Sequence, residues 1–286
     1  MQQRTIAIFG GDTRQAYAAR TFLAAGWAVR QFKVPEVPNI DQGEPCETLA
    51  AAIDGAEVVL GPVPFRDFMP ADELAVLLKP EQVFIAGMLP EELQAQDNCY
   101  DLLEREDFSI LNAISTAEGA IIEAITASGG NLHLCPVLVL GYGRCAKPLV
   151  KKLQGLQAHV TVVARRWESA CAAIADGCEV LDFTALPHHL QRFGYIFNTV
   201  PSPVIDEAML EEISPQATII DIATAPGGID HAAAEELGLN IKLCPSLPGK
   251  YAPRSTGESI AQTTRILLEE REGSAWGWNK PAPESD

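Results

Sequence analysis

Basic residues are few in this chain, and their scarcity limits what it can bind. Of its 286 residues, 21 are lysine or arginine against 38 aspartate or glutamate, which gives a net charge of −17. Nucleic acids and anionic membranes need a basic protein surface, so we expect neither as a partner. No apolar run approaches the roughly twenty residues of a membrane span. The first residues read as a strand rather than a secretion signal, so we expect a cytoplasmic protein.

Paired cysteines are also missing. The seven cysteines are odd in number and scattered, and no two are spaced Cys-x-x-Cys. Several lie in apolar runs, where cysteine acts as a small hydrophobic residue. This distribution fits a reducing compartment and indicates no metal site. A chain of 286 residues with 47% hydrophobic residues exceeds one comfortable core, so we expect two domains.

A glycine-rich turn between a strand and a helix is the most informative feature that is present. An apolar run ending at Leu140 is followed by Gly141-x-Gly143-x-x-Ala146, and a helical pattern covers residues 147–156. This arrangement is typical of dinucleotide binding. The first glycine allows the turn, the second admits the pyrophosphate, and the alanine lets the helix pack closely on the strand. The helix N-terminus attracts phosphates. The alternative is a turn that binds nothing.

The end of the next predicted strand, residues 159–164, indicates which dinucleotide is bound. NAD-specific sites usually carry an acidic residue there, which binds the ribose 2′-hydroxyl. Here Ala164 is followed by Arg165 and Arg166. Two guanidinium groups suit a 2′-phosphate, so we predict NADP, with NAD as a possible cofactor. The alternative is a pair of solvated arginines at a strand end.

Strands and helices alternate along both halves of the chain, which predicts parallel sheets covered by helices. We expect an α/β fold of two doubly wound, Rossmann-like domains with a cleft between them. Residues 1–117 form a flavodoxin- or Rossmann-like substrate domain, and residues 118–254 form the NADP-binding domain. A helix over residues 255–270 is expected to complete the first domain. We place the boundary at a helix start capped by residues 115–116, and expect residues 271–286 to be disordered.

Six short motifs occur along the chain in this order: Gly10-Gly-Asp-Thr-Arg-Gln15, Ser115-Thr-Ala-Glu-Gly119, Leu140-Gly-Tyr-Gly-Arg144, Asn198-Thr-Val-Pro-Ser202, Asp221-Ile-Ala-Thr-Ala-Pro-Gly-Gly228, and Leu247-Pro-Gly-Lys-Tyr-Ala-Pro253 with Thr256-Gly257. Together they resemble the A subunits of dipicolinate synthase from endospore-forming bacteria. The resemblance runs from Ile6 to about Leu268. It departs at Ala146, where family members have glycine, and residues 35–80 match no motif.

The resemblance implies an oxidoreductase of dipicolinic acid biosynthesis. Such an enzyme oxidises a dihydrodipicolinate-type, or hydroxylated tetrahydro, intermediate to pyridine-2,6-dicarboxylate and passes a hydride to NADP during sporulation. It also implies a flavoprotein-like B subunit as partner and expression in the cytoplasm of the mother cell. We further expect a homo-oligomer. Two alternatives stay open: another NAD(P)-dependent hydroxy- or amino-acid dehydrogenase, and a non-catalytic NADP-binding regulatory subunit.

Predicted strand ends and the family-like motifs supply candidate site residues. Those predicted to bind the cofactor are Gly141, Gly143, Arg144, Cys145, Arg165, Arg166, Thr199, Val200, Pro201, Asp221, Ala223 and Pro248. A dicarboxylate substrate needs cations or neutral donors, for which the candidates are Arg14, Arg254, Ser115 and Thr116. Glu118, as a general base, and Lys250 are the catalytic candidates. For each of them a strand-end turn, a helix cap or a solvated charge is the alternative. The five histidines offer no clear catalyst.

Overall fold

Two parallel six-stranded sheets organise the chain in a computed structural model, which describes residues 3–65, 68–224 and 227–273. Each sheet belongs to a separate compact unit. The first unit combines the chain up to Ser109 with the segment that starts at Pro253, and the second is Ile110–Ala252. The predicted α/β fold with two doubly wound parallel sheets is confirmed. Of the tail expected to be disordered, residues 274–286 lie outside the described residues.

The first unit begins with alternating strands and helices: β1 (Thr5–Phe9), α1 (Thr13–Ala24), β2 (Ala28–Phe32), β3 (Glu44–Pro45), α2 (Leu49–Ile53), β4 (Val58–Leu60), α3 (Ala71–Leu77), β5 (Val83–Ala86), α4 (Glu91–Gln94) and β6 (Cys99–Asp101). The strands are ordered β3-β2-β1-β4-β5-β6. The apolar side chains of β1 and β4 are buried because helices cover both faces of the sheet. The strand order reverses between β1 and β4, where sheets of this kind leave a crevice at the carboxyl ends.

A long helix, α5 (Glu106–Ser128), leads into the second unit, whose elements are β7 (Pro136–Leu140), α6 (Ala146–Gly155), β8 (His159–Val163), α7 (Trp167–Ala175), β9 (Glu179–Leu181), a 3₁₀ turn (Leu186–Arg192), β10 (Tyr195–Asn198), α8 (Glu207–Glu211), β11 (Thr218–Asp221), α9 (His231–Glu236), β12 (Asn240–Leu243) and α10 (Leu247–Tyr251). The parallel strands are ordered β12-β11-β10-β7-β8-β9. In this sheet the order reverses between β7 and β10.

Helix α5 begins at Glu106 and not at Glu118, so the predicted helix start is wrong. Ser115 and Thr116 are buried in the middle of the helix. Thr116 Oγ1 donates a hydrogen bond to the carbonyl of Asn112, at 3.0 Å. Serine and threonine often cap helices, but inside a helix a hydroxyl can be satisfied by the carbonyl four residues earlier. The two units therefore divide after Ser109, within α5, rather than after residue 117.

By length and composition alone, α5 could cross a membrane, and it is the one such helix within the described parts of the chain. More than half of its most apolar stretch, 56%, is buried inside the protein. Ala117, Ala120 and Ala124 are fully buried on one side of the helix, whereas Ile110, Ile114, Ile122 and Ile125 are 40–52% exposed. The helix is therefore buried on one side only.

The last helix, α11 (Pro253–Arg271), packs against α1 in the first unit. A Cβ atom added to Gly257 would lie 2.3 Å from the carbonyl oxygen of Arg14, so the two helices touch at backbone distance. Ile260, Leu267 and Leu268 are buried in the first unit's core. A segment distant in sequence thus supplies one side of this unit.

Candidate functional site

A cavity of about 900 Å³ lies at the carboxyl edge of the second sheet, next to the reversal of strand order. Loops that follow β7, β8 and β10 surround it. Its size is within the range of small-molecule and cofactor sites. Among the residues that line it are these predicted cofactor residues: Gly141, Gly143, Arg144, Cys145, Arg165, Arg166, Thr199, Val200 and Pro201. Their roles toward a cofactor stay predictions.

Gly141 is required by the protein's own packing. Its φ is +93°, and its N–H donates to the carbonyl of Val163 at 2.8 Å. An added Cβ would lie 2.7 Å from Thr199 Oγ1 and 2.9 Å from Val200 Cγ2. Both the backbone conformation and the neighbouring loop therefore exclude a side chain here.

Gly143 is not required in this way. An added Cβ would meet no heavy atom within 4 Å, and its φ is not positive. The space beside this residue opens on the start of α6, where Cys145 is the N-cap and provides no side-chain cap. Ala146 is fully buried, as predicted for the small residue on which the helix packs. An open glycine beside an uncapped helix N-terminus fits a phosphate group.

Two arginines follow β8 at the rim of the cavity. Arg165 and Arg166 are exposed and line it. Arg166 Nη2 donates to Ser169 Oγ at 3.5 Å, and its Nη1 lies 3.9 Å from a Glu168 carboxylate oxygen. Because both contacts are long and solvent-exposed, they leave the Arg166 guanidinium able to turn toward an anion.

Tyr142, which was not among the predicted site residues, fixes the glycine-rich turn. Its ring is buried, and its hydroxyl donates to Asp176 Oδ2 just after α7. Burial, and then this hydrogen bond and the charge of Asp176, raise the pKa of the Tyr142 hydroxyl well above its usual value. The phenol therefore stays protonated and ties the turn to the C-terminal end of α7. A tyrosine between two motif glycines was the signal for it.

Asp221 does not line the cavity, although it was predicted to bind the cofactor. Its carboxylate is fully buried and used inside the protein. Oδ1 accepts hydrogen bonds from Asn198 Nδ2 at 2.8 Å and from the N–H of Ala223 at 3.0 Å. Oδ2 lies 3.1 Å from Nε2 of His231, at the start of α9. Asp221, Asn198 and His231 thus hold together the loops after β10 and β11.

The predicted residues of α10 also lie outside the cavity lining. Pro248 is buried, and Lys250 Nζ lies 2.5 Å from Glu123 Oε1 on α5. Glu123 is 2% exposed and also accepts hydrogen bonds from Lys242 Nζ and from the Tyr251 hydroxyl, the latter at 2.7 Å. Burial alone would raise the pKa of Glu123, but these three hydrogen bonds outweigh it and lower the pKa to about 2. Glu123 was not among the predicted site residues, because a single carboxylate on an apolar helix gives no sign in the sequence of the partners that it contacts in the fold.

Glu118, the other catalytic candidate, is more exposed. Its Oε1 lies 2.6 Å from Lys152 Nζ on α6. The two catalytic candidates thus form separate ion pairs, Glu118 with Lys152 and Lys250 with Glu123. The structure does not bring them together through any contact between them in its described residues.

The substrate candidates of the first unit differ in burial. Arg14 is 5% exposed, and its Nε and Nη2 bind the Asp12 carboxylate at 2.8 Å, while Nη2 also donates to the carbonyl of Val63. Arg254 is largely exposed and pairs with Glu258 at 3.0 Å. Arg14 is therefore held rigidly, whereas Arg254 is free to reorient in solvent.

Comparison with known sequences agrees with the predicted resemblance. Residues 5–103 match the family of the N-terminal domain of the dipicolinate synthase A subunit, and residues 123–241 match the family "Shikimate / quinate 5-dehydrogenase". The dipicolinate synthase A subunit of Bacillus subtilis (strain 168) is 33% identical over 177 residues. The aligned part is 62% of this chain and 60% of that protein. Over this part the chain is similar to the dipicolinate synthase A subunit.

Solved structures agree with this relationship. The dipicolinate synthase A subunit of Bacillus subtilis has a TM-score of 0.81 at 26% identity, covering 96% of this chain and 98% of that chain. The A subunit of Bacillus halodurans has a TM-score of 0.79 at 26% identity, covering 93% and 97%. D-lactate dehydrogenase of Escherichia coli has a TM-score of 0.67 at 14% identity, over 95% and 98%, and shares the fold alone. The chain thus shares its fold with the dipicolinate synthase A subunits and with this dehydrogenase.

Proposed function

We propose that this chain is the dehydrogenase subunit of a dipicolinate synthase. It would oxidise a dihydrodipicolinate-type, or hydroxylated tetrahydro, dicarboxylate to pyridine-2,6-dicarboxylate with NADP as oxidant. One observation carries the proposal. A first unit matched by the N-terminal family of the A subunits is joined, in one chain, to a second unit with a dinucleotide-type glycine turn. Dehydrogenases in general share the second feature but not the first.

The residues of the cavity fit NADP. Open space at Gly143 and the uncapped start of α6 suit the pyrophosphate, and Arg165 with Arg166 suits the 2′-phosphate. When bound, the nicotinamide supplies the acceptor for the hydride. The protein's part is to hold the cofactor and to orient the substrate carbon against it.

Oxidation of a dihydro ring to a pyridine releases one hydride and one proton, so a group must take the proton. Hydrogen bonds from Lys250 to Glu123 and Tyr251 raise the pKa of the Lys250 ammonium. Lys250 therefore stays charged and suits a substrate carboxylate. Arg14 and Arg254 in the first unit, and the hydroxyls of Ser115 and Thr116 on α5, stay separate candidates for substrate binding. Glu118, an exposed carboxylate, is the proposed proton acceptor.

The proposed function includes a partner subunit, a cellular compartment and an oligomeric state. A flavoprotein-like B subunit would be the partner, and the mother-cell cytoplasm of a sporulating bacterium would be the compartment. We also propose that the chain forms a homo-oligomer. The similarity to proteins named as A subunits supports an enzyme of more than one subunit.

A turnover assay tests the proposal. Freshly made product of dihydrodipicolinate synthase is mixed with NADP⁺ and this chain, with and without the candidate B subunit, and pyridine-2,6-dicarboxylate is quantified. Product formed by this chain alone, and lost in Gly143→Val, would support hydride transfer here. Product formed only with both subunits would support the synthase assignment, and it would mean that hydride transfer requires the B subunit as well as this chain. If neither mixture gives product although NADP binds, the chain is a different dehydrogenase or a regulatory subunit.

A further inference from the structure

The crevice of the first sheet contains a buried acceptor that no part of the described chain satisfies. Gln15 on α1 is fully buried, and its Oε1 has no hydrogen-bond partner among the described residues. A buried polar atom is rarely left unpaired, because its lost hydration is not compensated. This oxygen therefore indicates a missing donor.

The orientation of the Gln15 amide is fixed by its other end. Nε2 donates to the carbonyl of Gly61 at 3.2 Å. Exchanging the amide oxygen and nitrogen would place two acceptors face to face, so the unpaired atom is the oxygen. Any group that satisfies it must bring an N–H or an O–H.

The amide lies at the reversal of strand order, between the turns that follow β1 and β4. An added Cβ on Gly11, after β1, would lie 2.6 Å from Gln15 Oε1, and Gly61 directly follows β4. Ligands of doubly wound sheets bind in this crevice. The Phe68 ring packs against Gly10 of the same turn and is 36% exposed.

Donors for an anion surround the same turn. The N–H groups of Gly11, Asp12 and Thr13 make no hydrogen bond to the described parts of the chain. They precede α1, a helix of 12 residues, whose N-terminus carries a partial positive charge. The buried Arg14 guanidinium uses Nε and Nη2 internally, and Nη1 makes no hydrogen bond within the described residues. Donors for a carboxylate thus lie beside one acceptor.

We propose that this turn binds a cyclic amino carboxylate or a protonated cyclic imino carboxylate, with the carboxylate on the Gly11–Thr13 N–H groups and Arg14 and the ring N–H on Gln15 Oε1. The identity of the ligand rests on the proposed function, since a nitrogen flanked by carboxylates is the core of that substrate. A neutral pyridine presents a lone pair in place of the N–H. Gln15 therefore favours a reduced ring over the aromatic product and assists product release.

Binding to the full-length chain tests this assignment without turnover. Isothermal titration calorimetry is run with three dicarboxylates: piperidine-2,6-dicarboxylate, which has ring N–H groups, pyridine-2,6-dicarboxylate, and benzene-1,3-dicarboxylate, which has no nitrogen. We expect piperidine-2,6-dicarboxylate to bind at least tenfold more tightly than pyridine-2,6-dicarboxylate. The pyridine, which has the same charge as the benzene compound, should bind no more tightly than it. Gln15→Met should remove the tenfold preference.

Gln94→Met is the matched control, because Gln94 lies in the same unit and binds the carbonyl of Leu89 instead. It should retain the preference. Equal binding of all three ligands to the wild type, or a preference unchanged in Gln15→Met, would overturn the assignment while leaving the substrate class intact. If none of the three binds although NADP does, the proposed substrate class itself is wrong. The wild-type comparison stands by itself if Gln15→Met does not fold.

Discussion

Two glycines of the same turn illustrate how a residue's neighbours decide its role. Gly141 is enclosed by Thr199 and Val200 and has a positive φ, whereas Gly143 faces open space. The sequence pattern assigned both to the cofactor. The structure separates them, because packing within the protein explains the first and does not explain the second.

Alanine and valine substitutions should separate these two roles. Gly141→Ala should destabilise the fold by about 1–3 kcal/mol, since it adds a strained conformation and a steric overlap. Gly143→Val should have the same midpoint of urea unfolding as the wild type. It should nevertheless lose NADP binding, because the valine side chain fills the space of the pyrophosphate. Urea unfolding and fluorescence titration with NADPH measure the two effects. A folded Gly143→Val that binds NADPH normally would contradict the cofactor site.

The paired arginines after β8 allow a test of cofactor choice. Arg165→Ala with Arg166→Ala should weaken NADP binding by roughly 10- to 100-fold, the loss of one or two charge-assisted hydrogen bonds. NAD binding should change little, because it lacks the 2′-phosphate. Lys151→Ala, an exposed cation of α6 outside the cavity lining, is the control. Equal losses for NADP and NAD would contradict the 2′-phosphate assignment.

At the scale of elements, one buried carboxylate joins three segments of the second unit. Glu123 on α5 accepts hydrogen bonds from Lys242 on β12 and from Lys250 and Tyr251 on α10. Helix α10 has only five residues and follows Ser246, whose φ is +57°. So short a helix has little stability of its own, and the side-chain contacts hold it.

Glu123→Gln should therefore destabilise the second unit in a pH-dependent way. The pKa of Glu123 is lowered from 4.5 to about 2, so its ion pairs contribute fully above pH 4.5 and are lost as the pH falls toward 2. At pH 7 the cost should be about 1–3 kcal/mol, shrinking below pH 4. Urea unfolding at pH 7 and pH 3 measures it. Glu118→Gln removes an exposed ion pair and should lower the free energy of unfolding by less than about 1 kcal/mol. If Glu118→Gln and Glu123→Gln destabilise the protein equally, the role of Glu123 is contradicted.

The Asn198–Asp221–His231 contacts also join separate elements of the second unit, namely β10, β11 and α9. Asp221→Ala would leave Asn198 and His231 without their buried partner, and we expect a loss of about 2–4 kcal/mol. His231→Gln keeps a donor near Asp221 and should cost less. Thermal unfolding of both variants measures the difference. Equal stability of Asp221→Ala and the wild type would show that this carboxylate is not structural.

At the scale of the whole molecule, the first unit is built from the two ends of the chain. Helix α11 buries Ile260, Leu267 and Leu268 in the same core as α1. A chain that ends at Ala252 would expose this core, with a loss of several kcal/mol at about 2 kcal/mol for each large side chain.

We therefore expect truncation after Ala252 to unfold the first unit and to spare NADP binding by the second. Hydrogen exchange followed by mass spectrometry locates the unfolded part, and NADPH fluorescence reports the cofactor site. A truncation after Gly273 is the control. Loss of protection in both units would show that they depend on each other for folding.

Much of this protein could be predicted from local patterns. Apolar runs bounded by glycines predicted most strands, since a strand buried on both faces must be apolar throughout. The glycine turn at 141–146 and the arginines at 165–166 were found in the same way. Short edge strands such as β3 and β9 were missed, because two or three exposed or half-exposed residues carry no clear pattern.

Sequence alone determined the fold class, the likeness to the dipicolinate synthase A subunits and the loops that surround the cavity, because each depends on residues close together in the chain. Only the tertiary structure decided which polar groups are used internally. Asp221 binds His231 and Lys250 binds Glu123, and these partners come from other elements. It also showed that Gln15 keeps an unpaired oxygen. Whether a buried polar atom is satisfied depends on every neighbour around it, and spacing along the chain does not contain that information.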